Sequence, residues 1–113
     1  MKNKTQTNKK VLICKKVKFL SPYDEEAFFE WIKKIVCIGR YYGSKNEIYL
    51  EIVSDTIFWQ DIDDIIGLFH RYKVNMKQLS QFLNNDNKKN FYDNKKAFWY
   101  KKVWPLKHNT EKI

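Results

Sequence analysis

VLICKKVKFLSPYDEEAFFEWIKKIV, residues 11–36, changes its hydrophobic period once, at Ser21-Pro22. Before that point Val11, Ile13, Val17 and Phe19 alternate with other residues, which predicts a strand over Val11 to Phe19 with those four on one side. After it, Phe28, Trp31, Ile32, Ile35 and Val36 recur at helical spacing. The boundary carries its own punctuation. Ser21 is a natural N-cap, Pro22 suits the first helical position, and Asp24, Glu25 and Glu26 fill the first turn, where the helix dipole favours negative charge. Lys33 and Lys34 sit at the opposite end, where it favours positive charge. A strand running straight into a helix points to a mixed fold.

Working outward, the short apolar segment Cys37 to Tyr42 is interrupted by Gly39 and followed by the turn residues Gly43-Ser44-Lys45-Asn46. Ile48, Leu50 and Ile52 then alternate with Tyr49, Glu51 and Val53, which predicts a β-hairpin. Ser54, Asp55 or Thr56 is expected to cap a second helix with the buried stripe Ile62, Ile65, Ile66 and Phe69, ending near Tyr72. Asn75 with Gln78 reads as a capping box for a short helix carrying Met76, Leu79, Phe82 and Leu83. Residues 84–90 are polar and turn-like, and the period of Phe91 to Trp104 fits helix and strand equally, up to Pro105. The expected architecture is α+β: a small antiparallel sheet (strand, helix, β-hairpin) with a following helix pair packed on it. It forms a single domain over residues 10–105, between a disordered basic tail at 1–9 and a flexible C-terminus at 106–113.

Charge and cysteine usage narrow the function classes. The net charge of +9 is uneven: seven lysines and no acid in residues 1–18, seven basic against ten acidic side chains in 19–83, and eight against three in 84–113. Such basic ends suit phosphate backbones or serve only to solubilise. Cys14 and Cys37 form no C-x-x-C pair, so they read as buried thiols in a reducing compartment rather than a disulfide framework. A zinc site from Cys14, Cys37, His70 and His108 has no ligand spacing behind it. Neither a signal peptide nor a stretch long enough to span a membrane is visible, which predicts a cytoplasmic protein with no membrane partner.

Catalytic groups are sparse. No phosphate-loop, dinucleotide-binding, zinc-protease or nucleophile-elbow pattern occurs, and three glycines leave little for a phosphate-cradling loop. Asp61, Asp63 and Asp64, like the acidic triplet at 24–26, are explained by a helix start. The expectation is a noncatalytic binding protein with no cofactor, no metal and no small-molecule ligand.

Two resemblances give that expectation a direction. LFHRYKVNMKQLSQFLN, residues 68–84, resembles the core of a helix-turn-helix motif. Phe69, Val74, Leu79 and Phe82 would pack the helices, Asn75 would cap the second, and Lys77, Gln78 and Gln81 would project toward DNA. Lys73 stands where such motifs place glycine. The segments SPYDEEAFFEWI (21–32), RYKVNMKQL (71–79) and NKKAFWYKKVW (94–104) look like those of small bacterial immunity proteins linked to contact-dependent inhibition or polymorphic toxins, a likeness running roughly from residue 11 to 105. It implies a partner, a cognate toxin domain, neutralised by direct binding. Aromatic and arginine anchors suit such a contact, so the expected partner-binding residues are Arg40, Tyr41 and Tyr42 at the hairpin with Trp99, Tyr100, Lys101, Lys102 and Trp104 in the terminal block. The bland alternative is that the terminal rings simply close the core. DNA binding through residues 68–84 is the alternative function.

Overall fold

A computed structural model describes residues 10–105. The expected tails, 1–9 and 106–113, lie outside the described residues, as does His108. The fold is α+β. Strand β1 (Lys10–Lys15) leads to helix α1 (Pro22–Lys34), then to β2 (Ile38–Ser44) and β3 (Glu47–Ile52), and on to helix α2 (Trp59–Tyr72). A 3-10 helix (Met76–Phe82) and two single-turn helices, α3 (Lys88–Phe91) and α4 (Tyr100–Val103), complete it.

The sheet order is β1-β3-β2, and β3 is antiparallel to both neighbours. β1 and β2 therefore run in the same direction with β3 between them, so α1 is the crossover such a pair requires. β2 and β3 are joined by a two-residue turn, where Lys45 takes up the left-handed conformation (φ 59°). The β2 register shifts between Ile38 and Arg40. Gly39 at this bulge is required by close approach, because a Cβ there would overlap the Val53 side chain.

Helix α1 starts as its sequence predicts. The Ser21 hydroxyl accepts the Asp24 N–H at 3.3 Å, and the Asp24 carboxylate accepts the Leu20 N–H at 2.8 Å. Phe28, Ile32 and Ile35 are buried, whereas Val36 is 81% exposed because the helix has ended before it. Helix α2 buries the expected Ile62, Ile65, Ile66 and Phe69, together with Leu68 and Tyr72. Its cap is a correction: the N-cap is Phe58, with no side-chain hydrogen bond, not Ser54, Asp55 or Thr56. Packing replaces capping here, since each buried apolar side chain contributes roughly 1.5–3 kcal/mol. Gly67 lets α2 approach α1 closely, with a Cβ at that position falling 3.1 Å from the Trp31 ring.

The buried face of β1 is also corrected. Leu12 and Cys14 are fully buried, while Val11 and Ile13 lie on the other side. The strand stops at Lys15, and Lys16 (φ 53°) interrupts the two-residue period, so Val17 and Phe19 reach the core from outside the strand. Asn75 caps the 3-10 helix by accepting the Lys77 N–H at 2.8 Å, but Gln78 does not return the bond to the Asn75 N–H as a capping box would. Leu83 is at the rim, 38% exposed.

The polar stretch 84–90 is a built structure. Asn87, 1% exposed, donates to the carbonyls of Ile57 and Phe82, each at 2.8 Å, while Asn84 and Asn87 exchange backbone-to-side-chain bonds at 3.0 and 2.9 Å. The block Phe91 to Trp104 is neither one helix nor a strand: turns connect the end of α3 to the single-turn α4. Its Phe91, Trp99, Tyr100 and Val103 join the one hydrophobic core cluster, shared with all three strands and both long helices.

Candidate functional site

Alternation along the strands sorts their side chains to two faces. Leu12, Cys14, Tyr41, Leu50 and Ile52 face the helices, and Phe29 of α1 stacks on Tyr41 at 5.3 Å. The opposite face bears Ile13, Arg40, Tyr42, Tyr49 and Glu51. Tyr42 and Tyr49 are direct cross-strand partners and stack nearly parallel (centroids 5.2 Å apart, planes 9° apart). The Arg40 guanidinium lies 5.0 Å from the Tyr42 ring centre and 3.8 Å from the Glu51 carboxylate. The Tyr49 hydroxyl donates to Glu47, which pushes its pKa above the ordinary tyrosine value. These contacts hold two aromatic faces and a guanidinium in register on a rigid sheet, the residue types that carry binding energy when a partner covers them.

The expected partner-binding residues therefore separate. Arg40 and Tyr42 share the outer face, whereas Tyr41 points inward. Trp99 (4% exposed) and Tyr100 (8%) are buried, so neither is an exposed anchor as it stands. Trp99 packs against Trp59 and Phe91 at 5.7 and 6.0 Å. Trp104 is half-buried, its indole N–H donating to the Phe91 carbonyl at 3.0 Å. Lys101 and Lys102 are exposed. The residue missed was Tyr49, whose alternation with Leu50 already placed it opposite the buried side.

Lys77 and Gln81 are exposed, as a DNA-contacting helix would have them, but the element is a 3-10 helix and Gln78 is occupied. The Gln78 side-chain amide accepts the Ile13 N–H at 2.8 Å and donates to the Ile13 carbonyl at 2.9 Å. That is the pair of bonds a neighbouring strand would make, applied to the free edge of β1.

Among the described residues no group of three or more His, Cys, Asp or Glu side chains is placed to hold a metal ion. Cys14 and Cys37 are free and buried, and burial pushes both thiols up to about 12, away from the range of a reactive thiolate. Asp24 is held below its ordinary value by the Leu20 N–H first, then by the Tyr72 hydroxyl and by Arg71, so it is a structural anion rather than a proton-transfer group. No helix among the described residues is long and apolar enough to cross a membrane.

No family model matches the chain, no curated protein matches it, and no solved structure matches it.

Proposed function

We propose that this is a noncatalytic binding protein that acts in the cytoplasm, and that it is an immunity protein whose partner is a cognate toxin domain. The observation that carries the reading is the outer sheet face, where Arg40, Tyr42 and Tyr49 are fixed by mutual stacking and by the Glu51 contact, on the side of the sheet away from α1 and α2. Aromatic and arginine side chains already locked in position lose little entropy on binding, which is how a few residues come to dominate an interface. The likeness of segments 21–32, 71–79 and 94–104 to small bacterial immunity proteins supports the choice of partner. A stable contact would bury roughly 1,200–2,000 Å² in total, so the face would be its centre rather than its whole extent.

Co-expression with a candidate toxin domain taken from a gene adjoining this one is the test. The protein should rescue growth, and an unrelated toxin domain should not be neutralised. The double variant Arg40→Ala/Tyr42→Ala should lose protection while keeping the parent melting curve. Cells that die equally with and without the protein would end the reading, and protection that survives the double variant would move the interface elsewhere.

A further inference from the structure

Two clefts adjoin at the C-terminal end of α2 and share Lys73 as a common wall. The first, about 440 Å³, is lined by Lys16, Lys18, Arg71 and Lys73, with Asp24 as the one carboxylate among its described lining residues. The second, about 620 Å³, is lined by His70, Lys73, Lys77 and Lys102 over an apolar floor of Phe69, Val74 and Met76, with no carboxylate among its described lining residues. Asp24 is already committed to the Leu20 N–H and the Tyr72 hydroxyl, and lies 3.8 Å from Arg71. Among the described residues no carboxylate comes within ion-pair distance of Lys16, Lys18, Lys73, Lys77 or Lys102. The dipole of α2 accounts for cations at Arg71 and Lys73. It does not account for Lys16 and Lys18 after β1, Lys77 in the 3-10 helix, or Lys102 in α4, which converge from three other parts of the chain.

The backbone supplies a second observation. Lys16 (φ 53°) and Lys73 (φ 59°), like Lys45 in the hairpin turn, are left-handed, a conformation that glycine adopts freely and a lysine rarely does. Lys73 is the residue that ends α2, the position at which helices most often carry glycine. Both are lysines, and both line the same cleft.

Next to the second cleft, Phe98 is 65% exposed and meets the His70 ring edge-on at 4.8 Å. An exposed ring beside a set of lysines is the pairing that single-stranded nucleic acids use: cations track the phosphates and a ring stacks on a base. Concave clefts of this size admit splayed-out nucleotides, whereas a duplex is read by an element that projects into its groove.

We propose that the two clefts form one binding track for a single-stranded polynucleotide, with the phosphates on Lys16, Lys18, Lys73, Lys77 and Lys102 and a base stacked on Phe98. The track uses none of the residues of the outer sheet face, so it stands or falls separately from toxin binding.

Fluorescence anisotropy with the full chain tests it, using labelled 20-nucleotide RNA and DNA single strands and a DNA duplex of the same length. Both single strands are expected to bind more tightly than the duplex, and the tighter of the two identifies the natural strand chemistry. The double variant Lys73→Gly/Lys102→Gln should weaken binding by about tenfold and reduce the slope of log affinity against log salt by about 1.4, two phosphate contacts' worth. Lys89→Gln/Lys96→Gln, an equal charge loss at exposed lysines outside both clefts, should stay within about twofold of the parent. Phe98→Ala should cost about tenfold by loss of stacking. Lys73→Gly alone separates binding from folding: glycine relieves the left-handed lysine, so the melting temperature should hold or rise while affinity falls. Equal losses in the two double variants, an unchanged Phe98→Ala, preference for the duplex, or no binding would each overturn the proposal.

Discussion

Cys37 shows how burial sets chemistry for a single side chain. Its thiol is fully buried, and desolvation, followed by the nearby Asp61 charge, pushes it up to about 12; Cys14 reaches about 12 through burial alone. The folded state thus holds both protons more tightly than the unfolded chain, whose thiols titrate near 9.0. By linkage, the stability these thiols contribute is complete below pH 9 and declines as pH rises from about 9 toward about 12. Tyr72 and Tyr100, also raised by burial, add to the decline in the same direction. Urea melts at pH 8 and pH 10.5 should show the loss, and Cys14→Ala/Cys37→Ala should lessen it. At pH 8 a thiol reagent should label the native protein far more slowly than the urea-unfolded chain; equal rates would contradict the burial. The thiols were legible in the sequence because they stand among apolar neighbours. Asp61, raised by desolvation and lying near Cys37, was not, because a carboxylate near a helix start already has a local explanation.

At the scale of elements, Asn87 joins three pieces of chain. One amide group satisfies the Ile57 and Phe82 carbonyls and the Asn84 N–H at depth, tying the approach to α2 to the end of the 3-10 helix. Asn87→Ala removes the side-chain partner of the Phe82 carbonyl and of the Asn84 N–H, while the Ile57 carbonyl keeps the Asn84 amide at 3.2 Å. At ~1–3 kcal/mol for each buried group left unsatisfied, a loss of about 3 kcal/mol is expected in urea denaturation. A loss below about 0.5 kcal/mol, the range of an ordinary surface change, would show that water replaces the amide. Nothing in the sequence of residues 84–90 separates this buried asparagine from its exposed neighbours, since its partners lie up to 30 residues away. Helix α1 was legible because its start is written locally in Ser21, Pro22 and Asp24. The start of α2 was not, because Phe58 caps it without a side-chain bond. β1 misled by parity: Val11, Leu12, Ile13 and Cys14 are all apolar, so Val17 and Phe19 decided the face, and the left-handed Lys16, which separates them from the strand, broke the count.

For the whole molecule, closure of the core falls to its last described segment. A chain ending at residue 90 loses Phe91, Trp99, Tyr100 and Val103, all buried, while Phe98 lies outside the core. The shortened chain should show no cooperative thermal transition by circular dichroism; a sharp one would mean that the core closes without those rings. The α+β class was readable from local periods. The outer face was readable in part, because strand alternation assigns Tyr42 and Tyr49 to it, whereas the sequence cannot say that Trp99 turns inward to meet Trp59 and Phe91 or that Tyr100 is buried beside it. The strand order has a kinetic consequence. β2 and β3 are joined by a two-residue turn and can pair on the microsecond scale of hairpins. β1 has no such shortcut: it reaches β3 only after α1 has carried the chain across, and its outer edge is closed by Gln78, 65 residues from Ile13. Loop closure over such separations is paid before the contacts reward it, so the docking of β1 on β3 is expected to be slower than closure of the β2–β3 hairpin.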